Sequence, residues 1–311
     1  MKIKQLLLLI LVGVLLCFMV AGCATKPEYM KIKKIGQITS GQDGAIYNGY
    51  LFHFDGRGNG TVYRTKEVSD DSVPVAQFTL DKAELLVPHS NSVAFGSARY
   101  DEDDEFPLLY SNVYNNYAET DNPMKAVTCV YRLQRNENTF TTTLVQLIEI
   151  GFVEDALWRS ENCNDVRPYG NFVVDRENSL LYAFTMRDEE NATRYFSFHL
   201  PDVHSGEYDS DFTVKRVTLN KEDIIDYFDC DYQRYIQGAC LHNGILYSLE
   251  GFTDDINNPP ALRLIDVKGK KQKSVYYFAD FDLTIEPEFI DFENDNCYYA
   301  DVYGNLYRLD F

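Results

Sequence analysis

From residue 30 onward, apolar and polar positions alternate in short runs. Each run ends in Gly, Asn, Asp or Ser. That pattern predicts half-buried β-strands joined by tight turns. The C-terminus shows it plainly: "EPEFIDF", "CYYADVY" and "NLYRLDF" are three strands split by polar turns. The strand–turn–strand phrase recurs along the chain. Its copies are "GAIYNGYLFHF" (44–54), "NSVAFGSARYDEDDEFPLLYS" (91–111, with an acidic insertion), "GNFVVDRENSLLYAF" (170–184), "GACLHNGILYSLE" (238–250) and "FIDFENDNCYYAD" (289–301). Phe52, Tyr110, Tyr182, Tyr247 and Tyr299 align across the copies. A third strand follows each copy, and a fourth follows all but the last: "VAQFTL", "TTTLVQLIEI", "FTVKRVTL" and "SVYYFADF".

Five repeats of a four-stranded antiparallel meander predict an all-β protein, a β-propeller of five blades. Six is the alternative if the long second unit holds another. The last unit lacks a fourth strand. "MKIKKIGQITS" (30–40) is a strand-like run ahead of the first unit, expected to pair with "NLYRLDF" and close the ring. Helix signals are sparse. "NKEDIIDYF" (220–228), with Asn220 as a candidate N-cap, is the best of them, in a connection between blades.

The N-terminus stands apart from this pattern. Lys2 and Lys4 precede an apolar run, 6–20, short for a membrane span and laid out like a secretory signal. It ends in Val20-Ala21-Gly22-Cys23, which resembles the lipobox of bacterial lipoproteins. The resemblance implies cleavage after residue 22, lipidation of Cys23 and a short tether, 23–29. A single propeller domain then occupies 30–311. The implied address is extracytoplasmic, held on a cell or outer membrane by lipid.

Composition adds exclusions. The net charge of −19 disfavours nucleic acid as a partner. Abundant Tyr (23) and Phe (20) suit a β fold. Of the five cysteines after the lipobox, Cys129, Cys240 and Cys297 lie in apolar strand patterns and read as buried thiols. Cys163 and Cys230 sit in polar loops, and a bridge between them is one option in an oxidising compartment.

In a propeller the innermost strands line an axial channel and begin at one mouth. Those first residues are Gln42 and Asp43, 90–92 including Asn91, Arg167 with Tyr169, Gln237, and Glu286 with Glu288. Carboxylates, amides and one guanidinium in a ring suit a sugar, a peptide end or a cation, calcium among them. Solvated channel residues are the plainer reading. Glu286 and Glu288 flank Pro287 and face the same way in an extended strand. Such a pair can act as acid and base on a glycoside if a second group stands across the channel, Asp43 or Glu250. The five histidines have no zinc spacing, and no GxSxG or P-loop is present, so no catalytic residue and no metal site is assigned. "DGRGNG" (55–60) reads as a hairpin turn and the acidic run 101–105 as a solvated loop.

"GQDGAIYNGYLFHF" and "IQGACLHNGILYSLEG" resemble the strand–turn–strand unit of plant-type glutaminyl cyclotransferases, which are five-bladed propellers. "EPE" and "YGNLYRLDF" are also similar to helveticin-like and teichoic-acid-biosynthesis-C-like propellers. As a whole the chain resembles propeller lipoproteins of gut Bacteroidetes-type bacteria. The cyclotransferase pattern has a glutamate on the second strand of its first blade, where this chain carries His53. The only tryptophan is Trp158. The resemblance therefore implies fold and not catalysis. The function expected is a binding module for a glycan, peptide or protein. A hydrolase or transferase using channel carboxylates is the alternative, and a scaffold subunit of an envelope complex a third.

Overall fold

The computed structural model describes residues 30–113, 124–159, 166–167, 171–187, 192–231 and 235–311. The signal-like segment, Cys23, Cys163 and Tyr169 lie outside them, as does the side chain of Arg167. Residues 32–310 form one compact unit. Among the described residues no helix is long and apolar enough to cross a membrane.

Nearly everything is antiparallel strand. A first strand, β1 (Lys31–Gln37), precedes blade 1, which contains β2 (Gly44–Tyr47), β3 (Tyr50–Phe54), β4 (Asn59–Arg64) and β5 (Ala76–Thr79). Blade 2 is built from β6 (Val93–Phe95), β7 (Leu109–Val113), β8 (Val127–Asn136) and β9 (Thr139–Ile150). A two-residue strand, β10 (Val166–Arg167), leads into blade 3: β11 (Phe172–Asp175), β12 (Leu180–Arg187), β13 (Thr193–His199) and, after β14 (Glu207–Asp209) and β15 (Val214–Leu219), β16 (Asp226–Cys230). Blade 4 is β17 (Ile236–His242), β18 (Ile245–Glu250), β19 (Ala261–Asp266) and β20 (Lys271–Tyr277). Blade 5 is β21 (Pro287–Glu293), β22 (Asn296–Asp301) and β23 (Asn305–Asp310), with β1 as its fourth strand.

The inner strands pack in a closed ring, β2 on β6, β6 on β11, β11 on β17, β17 on β21 and β21 on β2. This is a five-bladed β-propeller. The long second unit is a single blade. Closure uses both ends of the chain, as the sequence predicts, with β1 lying on β23. The five aligned aromatics occupy one register position: Phe52, Tyr110, Tyr182, Tyr247 and Tyr299 pair with Ala45, Ala94, Val173, Cys240 and Ile290. Each blade buries apolar side chains on both faces, so the core is a set of clusters between blades. The largest brings the rings of Phe52, Phe95, Phe106 and Phe140 together between blades 1 and 2. Edge-to-face contacts such as Phe52 on Phe106, centroids 5.6 Å apart, satisfy ring quadrupoles as well as bury area.

Two expectations are corrected in unit 3. "FTVKRVTL" is not the fourth strand of its own blade. As β15 it pairs in parallel with β9 of blade 2, Lys215 opposite Gln146 through Leu219 opposite Ile150. Phe212 and Val214 join the core between blades 1 and 2, and Leu219 joins the one between blades 2 and 3. The vacated edge of blade 3 is filled by β16, taken from the segment expected to be helical. Only one turn of 3-10 helix forms there, Lys221–Asp223, with the Asp223 carboxylate accepting the Asn220 N–H at 2.7 Å. Beyond it Phe228 and Cys230 point inward while Tyr227 and Asp229 do not, and this period of two suits a strand.

The run 101–105 is also more than a solvated loop. Arg132 pairs with Asp101 and Asp104 at 2.6 and 2.7 Å, and Arg135 with Glu105 at 2.8 Å, pinning it to β8. Cys129, Cys230, Cys240 and Cys297 are free and buried, so Cys230 forms no bridge.

Candidate binding site at the channel mouth

One mouth of the channel lies where the inner strands begin. Three irregularities in the ladders shape it. In β17 the register shifts between Ile236 and Gly238, which leaves Gln237 unpaired. In β21 it shifts between Pro287 and Phe289, which leaves Glu288 unpaired. In blade 1 both Gln42 and Asp43 face Phe54: the Gln42 N–H donates to Phe54 O, and the Phe54 N–H donates to Asp43 O. A bulge re-aims the side chain of the extra residue, and these four side chains are among those the sequence places on the rim.

The structure brings them together in two linked pairs. Gln42 Nε2 donates to Glu288 Oε1 at 3.3 Å, and Gln237 Nε2 donates to Glu286 Oε1 at 2.5 Å. Asp43 is fully buried; its Oδ2 accepts the Val93 N–H at 2.8 Å, while Oδ1 has no partner. Glu288 is 2% exposed, and its Oε2 also has no partner. Gly238 makes this convergence sterically feasible. A Cβ there would lie 2.1 Å from Glu288 O and 3.4 Å from Asp43 Oδ1. Asp43 of blade 1 thus reaches blade 4 across the axis.

Burial raises all three acids. Desolvation pushes Asp43 well above the usual carboxylate range, against the pull of the Val93 N–H. Desolvation does the same to Glu288, reinforced by the charges of Glu286 and Asp43 and opposed by Gln42. Half-buried Glu286 is raised by burial too. Among the described residues no Lys or Arg pairs with any of the three.

Of the other expected rim residues, Tyr169 and the side chain of Arg167 lie outside the described residues, and Asn91 does not share this pit. Asn91 is buried and its Oδ1 accepts from Asn112 Nδ2 within blade 2. The backbone of Arg167 lies on β10, opposite Met186 near the C-terminal end of β12. Glu250 pairs through Oε1 with Arg263 at 2.6 Å inside blade 4, while its Oε2 has no partner. His53 is buried behind the rim, with Nε2 3.2 Å from Gln42 O and its ring edge-on to Phe289. Burial lowers it to about 4, so it is neutral at pH 7. Among the described residues no group of three His, Cys, Asp or Glu is placed to hold a metal ion.

Sequence reasoning missed Asn171. It precedes β11 as Asp43 precedes β2, is 2% exposed, and neither amide atom has a partner. The alignment of Tyr182 with Phe52 locates it, since each stands two residues before the partner of its aligned aromatic. The contacts that neighbouring loops make with Glu286 were also not foreseen. The Glu286 N–H donates to Thr253 Oγ1 at 3.0 Å, and its carbonyl accepts the Val302 N–H at 2.9 Å. These loops display two exposed apolar side chains, Ile256 (90%) and Tyr303 (58%).

The opposite mouth is closed by one side chain. Arg176, just after β11, donates Nε to Phe95 O at 3.0 Å and Nη2 to Asp291 Oδ2 at 3.0 Å, and reaches Ile46 O at 3.4 Å. It ties blade 3 to blades 2, 5 and 1.

No family profile matches the chain, and no curated protein matches it in sequence. Solved structures do resemble it. A glutaminyl cyclase from Myxococcus xanthus is 10% identical with a TM-score of 0.45, over 90% of this chain and 94% of that one. BamB from Moraxella catarrhalis is 9% identical with a TM-score of 0.31, over 87% of this chain and 58% of its own.

Proposed function

We propose that this protein is a binding module, displayed outside the cytoplasm on a lipid at Cys23, that takes its ligand at the acidic channel mouth. The observation that carries the reading is the convergence of Asp43, Glu286 and Glu288 with amides alone as their side-chain partners. Unspent carboxyl oxygens in a partly dry pit favour a ligand rich in hydrogen-bond donors, such as a sugar or a peptide end. Ile256 and Tyr303 supply an apolar lip beside them. The lipid anchor rests on the charged start, the apolar run and the lipobox-like Val20–Cys23 sequence.

The test is a binding screen of cell-envelope glycans and peptides against the wild-type chain and Glu286→Gln. A ligand that saturates the wild type and binds the variant at least about tenfold more weakly supports the reading. Saturation unaffected by the variant, or no saturation by any of them, refutes the site. Replacing Cys23 with Ala is expected to move the protein from the membrane fraction to the soluble one.

A second reading has one observation in its favour. Glu288 holds its proton above the usual range while more exposed Glu286 stands next to it, as in an acid–base pair. Turnover of a screened glycan by the wild type, abolished in a folded Glu288→Gln, would establish a hydrolase.

A further inference from the structure

The end of the channel closed by Arg176 opens outward into a cavity of about 560 Å³, within the range of small-molecule sites. Its wall is made by three turns that are distant in sequence: 46–49 between β2 and β3, 64–67 after β4, and 292–294 between β21 and β22, with Arg176 as the floor. The turn residues Asn48, Gly49 and Asn294 have φ of 51°, 79° and 54°. A Cβ on Gly49 would meet only Glu293 Oε1, at 3.7 Å, so this wall faces open space.

Three cations converge here on a chain whose net charge is −19. Arg176 is held rigidly by the two carbonyls and Asp291. Arg64 lies over the Tyr50 ring at 5.0 Å and has only a long contact, 3.8 Å, with exposed Glu67. Lys66 is exposed, and no carboxylate of the described residues lies within ion-pair distance of it. Glu293, the other acid in the wall, is occupied by the Thr65 hydroxyl at 2.8 Å. Guanidinium and ammonium groups with unspent donors are complementary to a carboxylate. Asn48 and Asn294 add amides, Glu67 and Glu293 add acceptors for hydroxyls, and Phe292 and Tyr47 add ring surface.

We propose that this cavity binds a small hydroxylated carboxylate, of the size and chemistry of a sugar acid, with Arg64 and Lys66 on the carboxylate. The site is separate from the acidic mouth and does not depend on it. Such a protein repels anions at long range, so binding relies on these local charges and weakens with added salt.

Titration calorimetry on the full chain tests it, with glucuronate and galacturonate as probes and glucose and galactose as neutral controls. The expected result is saturable uronate binding, weakened by salt, undetectable for the neutral sugars, and reduced at least about tenfold in the double variant Arg64→Gln, Lys66→Gln. Both positions are on the surface, and circular dichroism checks the fold of the variant. Glu288→Gln, at the other mouth, leaves uronate binding unchanged. Absence of saturation by either uronate, equal binding of the neutral sugars, or full binding by the double variant overturns the proposal.

Discussion

The side-chain amide of Gln42 donates to the Glu288 carboxylate at 3.3 Å across the seam between the first and last blades, joining residues 246 apart in the chain. An amide satisfies one oxygen without neutralising the charge. Glu288 therefore relies on its proton, and most of what can be tested about the mouth follows from that.

The contribution of the mouth carboxyls to stability should fall as pH rises. A carboxyl whose folded pKa exceeds its unfolded value, about 4.3 for Glu, keeps its proton in the folded state after the unfolded chain has released it. The contribution is fully present below about pH 4 and is lost as pH climbs through the folded value. Glu288→Gln removes the penalty. It should raise stability at neutral pH, where the folded protein otherwise either keeps a proton that the unfolded chain has released or buries a charge. It should also flatten the pH profile in part, because Asp43 remains. Thermal unfolding from pH 4 to 9 measures both, and a variant less stable than wild type at pH 8 would contradict them. Asp226, lowered by its hydrogen bond to Lys270, acts in the opposite sense and in acid.

His53 acts in acid as well. The unfolded ring takes a proton near pH 6.5 while the folded ring, lowered by burial, takes one only at about 4. Stability contributed by neutral His53 is present above pH 6.5 and is lost between there and 4. A ring titration followed by NMR should give a midpoint near 4; a midpoint near 6.5 would mean the ring is solvated.

Gly238 should be intolerant of any side chain. Its hydrogen faces Glu288 O, and a Cβ 2.1 Å away forces the backbone of blade 4 or 5 to move. Gly238→Ala is expected to cost about 1–3 kcal/mol, the range for overpacking. A melting temperature equal to wild type would show that the ring has slack.

Two hairpins use the same turn. Asp55 accepts from Arg57 N, Asn59 N and Asn59 Nδ2, and Asp301 accepts from Tyr303 N, Asn305 N and Asn305 Nδ2, all between 2.8 and 3.0 Å. Gly58 and Gly304 sit at equivalent positions, with φ of 79° and 80°. Ala at either Asp should destabilise by about 1–2 kcal/mol. The larger loss is expected at Asp301, which is buried, while Asp55 is not. Chemical denaturation of the two variants gives the order.

Closure by β1 is separable from the rest. Deleting 30–40 strips the outer strand from blade 5 and exposes the edge of β23, whose Leu306 and Leu309 are buried. The truncated chain should melt at lower temperature, and a peptide of residues 30–40 added in trans should restore it by strand addition. No recovery at saturating peptide would show that covalent linkage is required.

The relation between sequence and structure divides along range of interaction. Alternation with period two and turn residues such as Asp55-Gly56-Arg57-Gly58-Asn59 are local, and they were enough to place five strand–turn–strand units and the register of the aligned aromatics. The missing strand of the last unit was legible because a spare run stood at the other end of the chain. The identity of the fourth strand in blade 3 was not. "FTVKRVTL" reads as that strand and 220–228 as a helix, whereas β15 pairs with β9 of blade 2 and β16 takes the edge of blade 3.

The mouth shows the same division. That Gln42, Asp43, Gln237, Glu286 and Glu288 begin inner strands follows from the repeat alone. The bulges that turn them toward one another, the bare glycine between Asp43 and Glu288, and the Arg176 plug at the far end came only with the tertiary structure. Sequence determined the blade, because a strand and its turn are stabilised by neighbours a few residues away. The structure decided the site, because a desolvated carboxyl and its partners come from different blades, and no local pattern records which groups will meet at the axis.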